Sequence, residues 1–332
     1  MRRLLVVAFA GLLLSLTWLR GEPVAGDSRA KIWASLLRLE ADCCAAGPFR
    51  LVSAWHLTSG HPAFGGYSAL LPVNSSRLLT FSDRGYWLAF DTPDQTSVPP
   101  QFGSVYPDGA GKKESRDIEA GAWDPVTRRL WLAQEGRNAV ARYGPEMQLE
   151  ALRRIPEWQD WPSNSGAESM VRLPDGRFIV LCECRNAWFG EYRHPAYLYP
   201  GDPTRAVAGR AFTFAGVDGY RPTDMAQLPD GRVLILMRRM VWPIPARFAI
   251  KVVIADPDMI VPGQVWQGRE IADLAAPWPA DNYEGIAIER EANGQLVAWI
   301  ISDENGAVTQ RVLLLKVLID EARLPHKQKA PG

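Results

Sequence analysis

The 332-residue sequence lacks an excess of either charge: Lys and Arg together number 37, and so do Asp and Glu. A general nucleic-acid or polyanion binder carries net positive charge, so no nucleic-acid partner is expected. Histidine is scarce. His56, His61, His194 and His326 do not cluster in sequence, which argues against a His-based transition-metal site. The nucleophile-elbow motif Gly-x-Ser-x-Gly is absent, since Gly66-Tyr67-Ser68 runs on into Ala69-Leu70. There is no Walker loop and no Gly-x-Gly-x-x-Gly. After the N-terminal segment no second long apolar run occurs. What is plentiful is turn-forming and apolar material: Gly 28, Pro 26, Trp 13 and a hydrophobic fraction of 47%. That mixture excludes a mostly disordered chain and implies frequent turns around a sizeable core.

The N-terminus reads as an address. Met1-Arg2-Arg3 is a positive start, Leu4 to Leu19 is almost all apolar, and Arg20 ends the run. A spanning helix needs about 20 apolar residues, whereas a signal-peptide core needs roughly 7–15. Val24-Ala25-Gly26 offers small residues for cleavage. Residues 1–26 therefore read as a signal peptide, with an uncleaved N-terminal anchor as the alternative. The expected location is periplasmic or secreted, with membrane association only if the segment is retained. No Cys follows the run, which argues against a lipoprotein. The four cysteines, Cys43, Cys44, Cys182 and Cys184, form disulfides or buried thiols. The Cys43-Cys44 pair has no zinc-like spacing.

A repeat organises the rest. Leu173-Pro174-Asp175-Gly176-Arg177 precedes Phe178-Ile179-Val180-Leu181, and Leu228-Pro229-Asp230-Gly231-Arg232 precedes Val233-Leu234-Ile235-Leu236. Each is an Asp-Gly turn feeding a β-rich run, a hairpin signal. Looser copies lie at Trp123-Leu132, Pro72-Phe81 and Asn293-Ile300. Upstream of the turns, polar residues recur at Ser68, Glu119, Glu168, Asp224 and Glu284. Beyond each hairpin a second polar position follows: Asp83, Glu135, Glu183, Arg238 and Asp303. Units of about four strands at this period are the signature of a β-propeller. Five blades are countable, six if one is degenerate. A β-sandwich is the alternative, but it does not explain hairpins at fixed phase. Phe49-Thr58 is a candidate N-terminal strand beside Val312-Ile319, closing the ring. Lys31-Glu40 fits either helix or strand. The expected divisions are a leader over 1–26, a linker over 27–46, a propeller over 47–320 and a tail over 321–332.

Equal phase has a chemical consequence. In a propeller the first strand of each blade lines the channel, so Glu119, Glu168, Asp224 and Glu284 should converge at one height. Carboxylates so gathered must be protonated, paired with arginine or neutralised by a cation. Ca²⁺, with six to eight oxygens in loose geometry, suits such a set better than Mg²⁺. The alternative role is structural, with acids at strand starts pinning neighbouring backbone N–H groups. Arg84, Arg116, Arg221, Arg238 and Arg239 lie beside the acidic motifs as counter-charges or anion receivers. Asn164, Asn282 and Asn305 offer neutral oxygens.

Several segments appear in a characteristic order: Phe64-Gly65-Gly66-Tyr67-Ser68-Ala69-Leu70, Ser82-Asp83-Arg84-Gly85, Asp117-Ile118-Glu119-Ala120, Asn164-Ser165-Gly166-Ala167-Glu168, Asn282-Tyr283-Glu284-Gly285-Ile286-Ala287, Ser302-Asp303-Glu304-Asn305 and Gln310-Arg311-Val312-Leu313-Leu314. This order resembles the bacterial phytase-like family, also described by the esterase-like activity of phytase, over about residues 47 to 320. The resemblance implies an exported propeller that hydrolyses phosphate or carboxylic esters, and propeller phytases proper use Ca²⁺. Here Tyr67-Ser68 and Glu119-Ala120 depart from the family's more usual Leu-Ser and Glu-Gly. The resulting expectation is a divalent cation, Ca²⁺ above others, held by Glu119, Glu168, Glu284 and Asp303. Asp224 or Asp83 would be the general base, and Arg84 would orient a small anionic or ester substrate. A non-catalytic binding propeller and a Ca²⁺-dependent lactonase-like hydrolase are the rival readings.

Overall fold

The computed structural model describes residues 31–40, 43–74, 76–95, 98–106, 117–184, 192–243, 246–305, 307 and 310–327. The leader and Arg116 lie outside the described residues. The described residues form five sheets. Three strands come first: β1 (Ile32–Leu36), β2 (Ala45–Ala46) and β3 (Phe49–Ser59). Blade 1 is β4 (Tyr67–Asn74), β5 (Arg77–Ser82), β6 (Tyr86–Asp91) and β7 (Gln101–Ser104). Blade 2 is β8 (Ile118–Asp124), β9 (Arg129–Gln134), β10 (Ala139–Tyr143) and β11 (Leu149–Arg154). Blade 3 is β12 (Ala167–Arg172), β13 (Phe178–Cys182), β14 (His194–Tyr199) and β15 (Arg210–Ala215). Blade 4 opens with β16 (Arg221–Gln227), β17 (Val233–Pro243) and β18 (Ala246–Ala255). The chain then lays β19 (Val265–Gln267) parallel to β15 on the edge of blade 3, before β20 (Arg269–Asp273) completes blade 4. Blade 5 is β21 (Tyr283–Arg290), β22 (Leu296–Ser302) and β23 (Val312–Ile319). Strand β3 pairs antiparallel with β23, Phe49 opposite Ile319 and Leu57 opposite Val312, and β1 and β2 pair with β3. The ambiguous stretch around Lys31–Glu40 thus contains a strand, and the segment expected as a linker contributes two short strands to blade 5.

Strands β4, β8, β12, β16 and β21 are innermost. Each lies against the next, and β21 lies against β4, so the five blades form a ring about one axis. Five apolar clusters fill the five seams between neighbouring blades. The sequence reason is visible in β17. Leu234 and Leu236 pack toward blade 5, while Ile235 and Met237 pack toward blade 3. Alternate residues of a strand point to opposite faces, and a blade covered on both faces therefore reads as an unbroken apolar run.

The repeated turns share their chemistry as well as their letters. Leu173 N–H donates to Arg177 O and Gly176 N–H to Leu173 O, and Leu228, Arg232 and Gly231 repeat both bonds. Asp175 accepts from the backbone N–H and Nε of Arg177, as Asp230 does from Arg232. Gly176 and Gly231 sit at φ of +90° and +92°, where a Cβ is strained. The cysteines pair with their neighbours, Cys43 with Cys44 and Cys182 with Cys184.

Candidate functional site

Every inner strand starts with a β-bulge. The register shifts between Tyr67 and Ala69, Ile118 and Ala120, Ala167 and Ser169, Pro222 and Asp224, and Tyr283 and Gly285. The extra residues are Ser68, Glu119, Glu168, Thr223 and Glu284. A bulge leaves its residue out of the ladder and re-aims its side chain. Across each hairpin the second strand exits at Asp83, Glu135, Glu183 and Asp303, and in blade 4 β17 passes the same level at Arg238. Four of these donate their backbone N–H to the carbonyl two residues before the bulge: Asp83 to Gly66 at 3.0 Å, Glu135 to Asp117 at 2.8 Å, Glu183 to Gly166 at 2.9 Å and Asp303 to Asn282 at 2.8 Å. Arg238 pairs with Arg221 at the same point of blade 4. Two rings of polar side chains are thereby set at one mouth of the channel by a backbone motif used five times.

Blade 4 departs from the expected phase by one residue. Its bulge residue is Thr223, whose hydroxyl is buried against Leu236 O and Tyr283 O, 3.4 Å from each. Asp224 is aimed elsewhere. Its carboxylate accepts from the N–H of Met225 and of Ile286, both at 2.8 Å, and from Leu70 N–H, tying blade 4 to blades 5 and 1. Burial pushes its pKa well up against those three bonds. The structure therefore gathers Glu119, Glu168, Glu284, Asp83 and Asp303 at the mouth and leaves Asp224 as a knot in the channel beneath them.

Within the mouth the charges segregate. On one side Arg238 Nη1 is bonded to Glu284 Oε1 and, at 2.7 Å, to Asn282 Oδ1, while its Nη2 lies 3.3 Å from Glu183 Oε1. Arg221 Nη1 lies 3.2 Å from Glu183 Oε2. On the other side acids face acids. Asp117, Glu119 and Glu135 each place a carboxylate oxygen within 4.8 Å of the others. Burial, then Glu168, Glu135, Asp117 and Asp83 in that order, pushes Glu119 well above the usual carboxylate range. Glu168 is pushed up by burial and by Glu183 and Glu135. Glu135 accepts from Gly166 N–H and shares a hydrogen bond with Glu168, and burial still raises it to about 7. A hydrogen bond between two carboxyl groups requires one of them to keep its proton. Asp303 is raised to about 8 by burial and by Glu304. Glu304, also raised by burial, accepts from Gly66 N–H at 3.0 Å.

The remaining expected residues sit around this cluster. Arg84 stands at the rim, its side chain 44% exposed, with Nε 3.8 Å from Asp83 Oδ1 and Nη2 donating to Phe64 O and Gly65 O. Asn282 is fully buried and donates to Glu284 Oε1 at 2.7 Å. Asn164 and Asn305 are exposed. His194 is buried beside Glu183, its ring nitrogens bonded to Cys184 O and Tyr220 O. Asp117 and Glu135 received no role from the sequence alone. The signals were there: Asp117 stands in the Asp117-Ile118-Glu119-Ala120 motif immediately ahead of β8, and Glu135 is the hairpin partner position of that blade.

A family model described as "Phytase-like: Esterase-like activity of phytase" matches residues 62–306. Among solved structures, a gluconolactonase from Xanthomonas campestris is similar at 11% identity, with 86% of this chain and 97% of that chain covered and a TM-score of 0.42. A streptogramin B lyase is similar at 9% identity, with 88% and 100% covered and a TM-score of 0.40. The WD40 propeller domain of Doa1 is similar at 10%, with 83% and 99% covered and a TM-score of 0.37. No curated protein matches the chain.

Proposed function

The chain belongs to the phytase-like family, and we propose that the acidic mouth of its propeller is the centre of a metal-assisted hydrolase acting on a small ester, a phosphoester first among them. The observation that supports this reading is the grouping of Asp117, Glu119 and Glu135 within 4.8 Å, on the side of the mouth away from Arg238. Like charges at this spacing, with Glu135 buried and Asp117 and Glu119 half-buried, are costly unless protonated or neutralised. The donors are hard oxygens, and their number and flexible side chains suit Ca²⁺. Asp117, Glu119 and Glu135 would hold the ion, with Glu168 and Asp303 beside them, while Glu284 is committed to Arg238. When bound, the cation supplies Lewis-acid polarisation of the ester oxygen and a more acidic water.

The chain's own groups do the rest. Arg84, exposed at the rim, receives the anionic part of the substrate. Asp83, 3.8 Å from that guanidinium, is the carboxylate placed to accept a proton beside the bound ester. Asp224 is excluded from that task because three backbone N–H groups hold it. The two disulfides favour an oxidising compartment, in keeping with export.

The test is calorimetric titration of the full chain with Ca²⁺, then assays with a phosphomonoester, a carboxylic ester and a lactone in Ca²⁺ and in EDTA. Ca²⁺-dependent turnover of the phosphomonoester is expected. Failure to bind Ca²⁺ together with inactivity in every assay would reject the reading and leave a binding propeller, and turnover of the lactone alone would reassign the substrate class.

A further inference from the structure

The channel has a second mouth, and its chemistry is the reverse of the first. Two residues beyond each bulge the inner strands present Leu70, Gly121, Met170, Met225 and Ile286, and two residues further on Pro72, Trp123, Arg172, Gln227 and Ile288. These positions follow from the two-residue period of a strand. Four residues at roughly 3.3 Å each put the second mouth about 13 Å from the acids. Between the mouths the channel is plugged. Leu70, Met170, Met225 and Ile286 are 0–3% exposed, and the Asp224 knot lies among them.

Below this plug opens a funnel of about 570 Å³ lined by all five inner strands. That volume lies in the range of small-molecule sites, about 300–1,000 Å³. Its wall is mostly aliphatic and aromatic. Its few polar groups, apart from the indole Nε1 of Trp123, which has no hydrogen-bond partner, are satisfied by one another or by neighbouring backbone. Arg172 Nη2 lies 3.3 Å from Asp124 Oδ2, Asp124 also accepts from Val126 N–H and Thr127 Oγ1, and Gln227 Nε2 donates to Gly231 O. The funnel thus offers apolar contact from every side and no net charge at its rim.

We propose that this funnel is a second ligand site, distinct from the acidic mouth, and that it takes an uncharged apolar small molecule with an aromatic ring or short acyl chain. Apolar burial supplies the affinity. A charged ligand is disfavoured because Arg172 and Asp124 already neutralise each other, so a charge brought into the apolar funnel would be desolvated without a free counter-charge. A polar head that only accepts or donates hydrogen bonds can rest at the rim beside Gln227. Because the plug separates the two mouths, occupancy of the funnel does not depend on the cation.

The test uses the neutral fluorescent probe N-phenyl-1-naphthylamine with the full chain. Saturable binding of one probe per chain is expected, unchanged by Ca²⁺, by EDTA or by Glu119→Gln. Ala226→Trp fills the funnel, and Ile288→Glu sets a charge on its partly buried wall. Each should weaken the probe at least tenfold with an unchanged thermal transition. If Ala226→Trp fails to fold, Ile288→Glu decides alone. Absence of saturable binding, binding indifferent to these variants, or binding lost in Glu119→Gln would overturn the proposal. So would a dimer by gel filtration that excludes the probe and dissociates in Ile288→Glu, which would make a second copy the occupant.

Discussion

Arg238 is bonded through Nη1 to Glu284 Oε1, and it stands at the ring position where the other four blades carry Asp83, Glu135, Glu183 and Asp303. Blade 4 thus inserts a tethered cation into a circle of acids. That guanidinium neutralises Glu284 and, with Arg221, Glu183, while Asp117, Glu119 and Glu135 stand together on the other side, where we propose that the cation binds.

Removing the tethered cation should be costly. The side chains of Arg238 and Glu284 are 18% and 10% exposed, and stripping one partner from a buried pair costs about 3–5 kcal/mol. Arg238→Gln should lose stability toward the low end of that range in EDTA, because the site is open to water on one side. Arg238→Gln combined with Glu284→Gln should recover part of the loss. Urea unfolding of the three variants measures both quantities.

Asp224 should behave as a pin. Asp224→Ala leaves the N–H groups of Met225 and Ile286 without their acceptor, and each buried unsatisfied group costs about 1–3 kcal/mol. A stability loss of about 2–4 kcal/mol is expected, with the Ca²⁺ affinity of the folded fraction unchanged. A selective loss of turnover without destabilisation would instead make Asp224 a participant in the reaction.

Glu119 should behave in the opposite way. It is surrounded by carboxylates, so Glu119→Gln removes repulsion as well as a ligand. The variant should melt at or above the parent temperature in EDTA and show at least a tenfold loss of Ca²⁺ affinity. Differential scanning calorimetry with and without Ca²⁺ reads both. Glu168→Gln should show a weaker loss of affinity, since Glu168 lies outside the Asp117–Glu119–Glu135 group.

The pH dependence has a definite sign. Glu135 moves from 4.5 in an unfolded chain to about 7, and Asp303 from 3.8 to about 8. Groups raised in the folded state contribute stability that is complete below the unfolded pKa and disappears as pH rises through the folded one. In EDTA the melting temperature should therefore fall between pH 5 and pH 8.5, all else equal. Ca²⁺ should restore it at pH 8 and have little effect at pH 5, where protons already neutralise the site. A melting temperature in EDTA that rises over this interval would contradict the buried acidic cluster.

Much of this molecule is legible in one dimension. The Asp-Gly turns before β13 and β17, the unbroken apolar runs that follow them, and the recurrence of polar residues ahead of each hairpin specify a propeller of five or six blades, and the structure decides on five. They do so because turn geometry and the two-residue strand period are local properties. Glu119, Glu168 and Glu284 are readable as mouth residues for the same reason. Thr223 is not, because Thr223 and Asp224 are neighbours and only the bulge between Pro222 and Asp224 decides which of them takes the bulge position and which reaches into the channel beneath. A one-residue slip in register exchanges the two faces of a strand. The partition of the mouth between Arg238 and the Asp117–Glu119–Glu135 cluster, and the neutral funnel at the far end, are likewise products of tertiary structure. Both depend on side chains from different blades meeting at one axis, and the distances that set their charge balance exist only once the ring has closed.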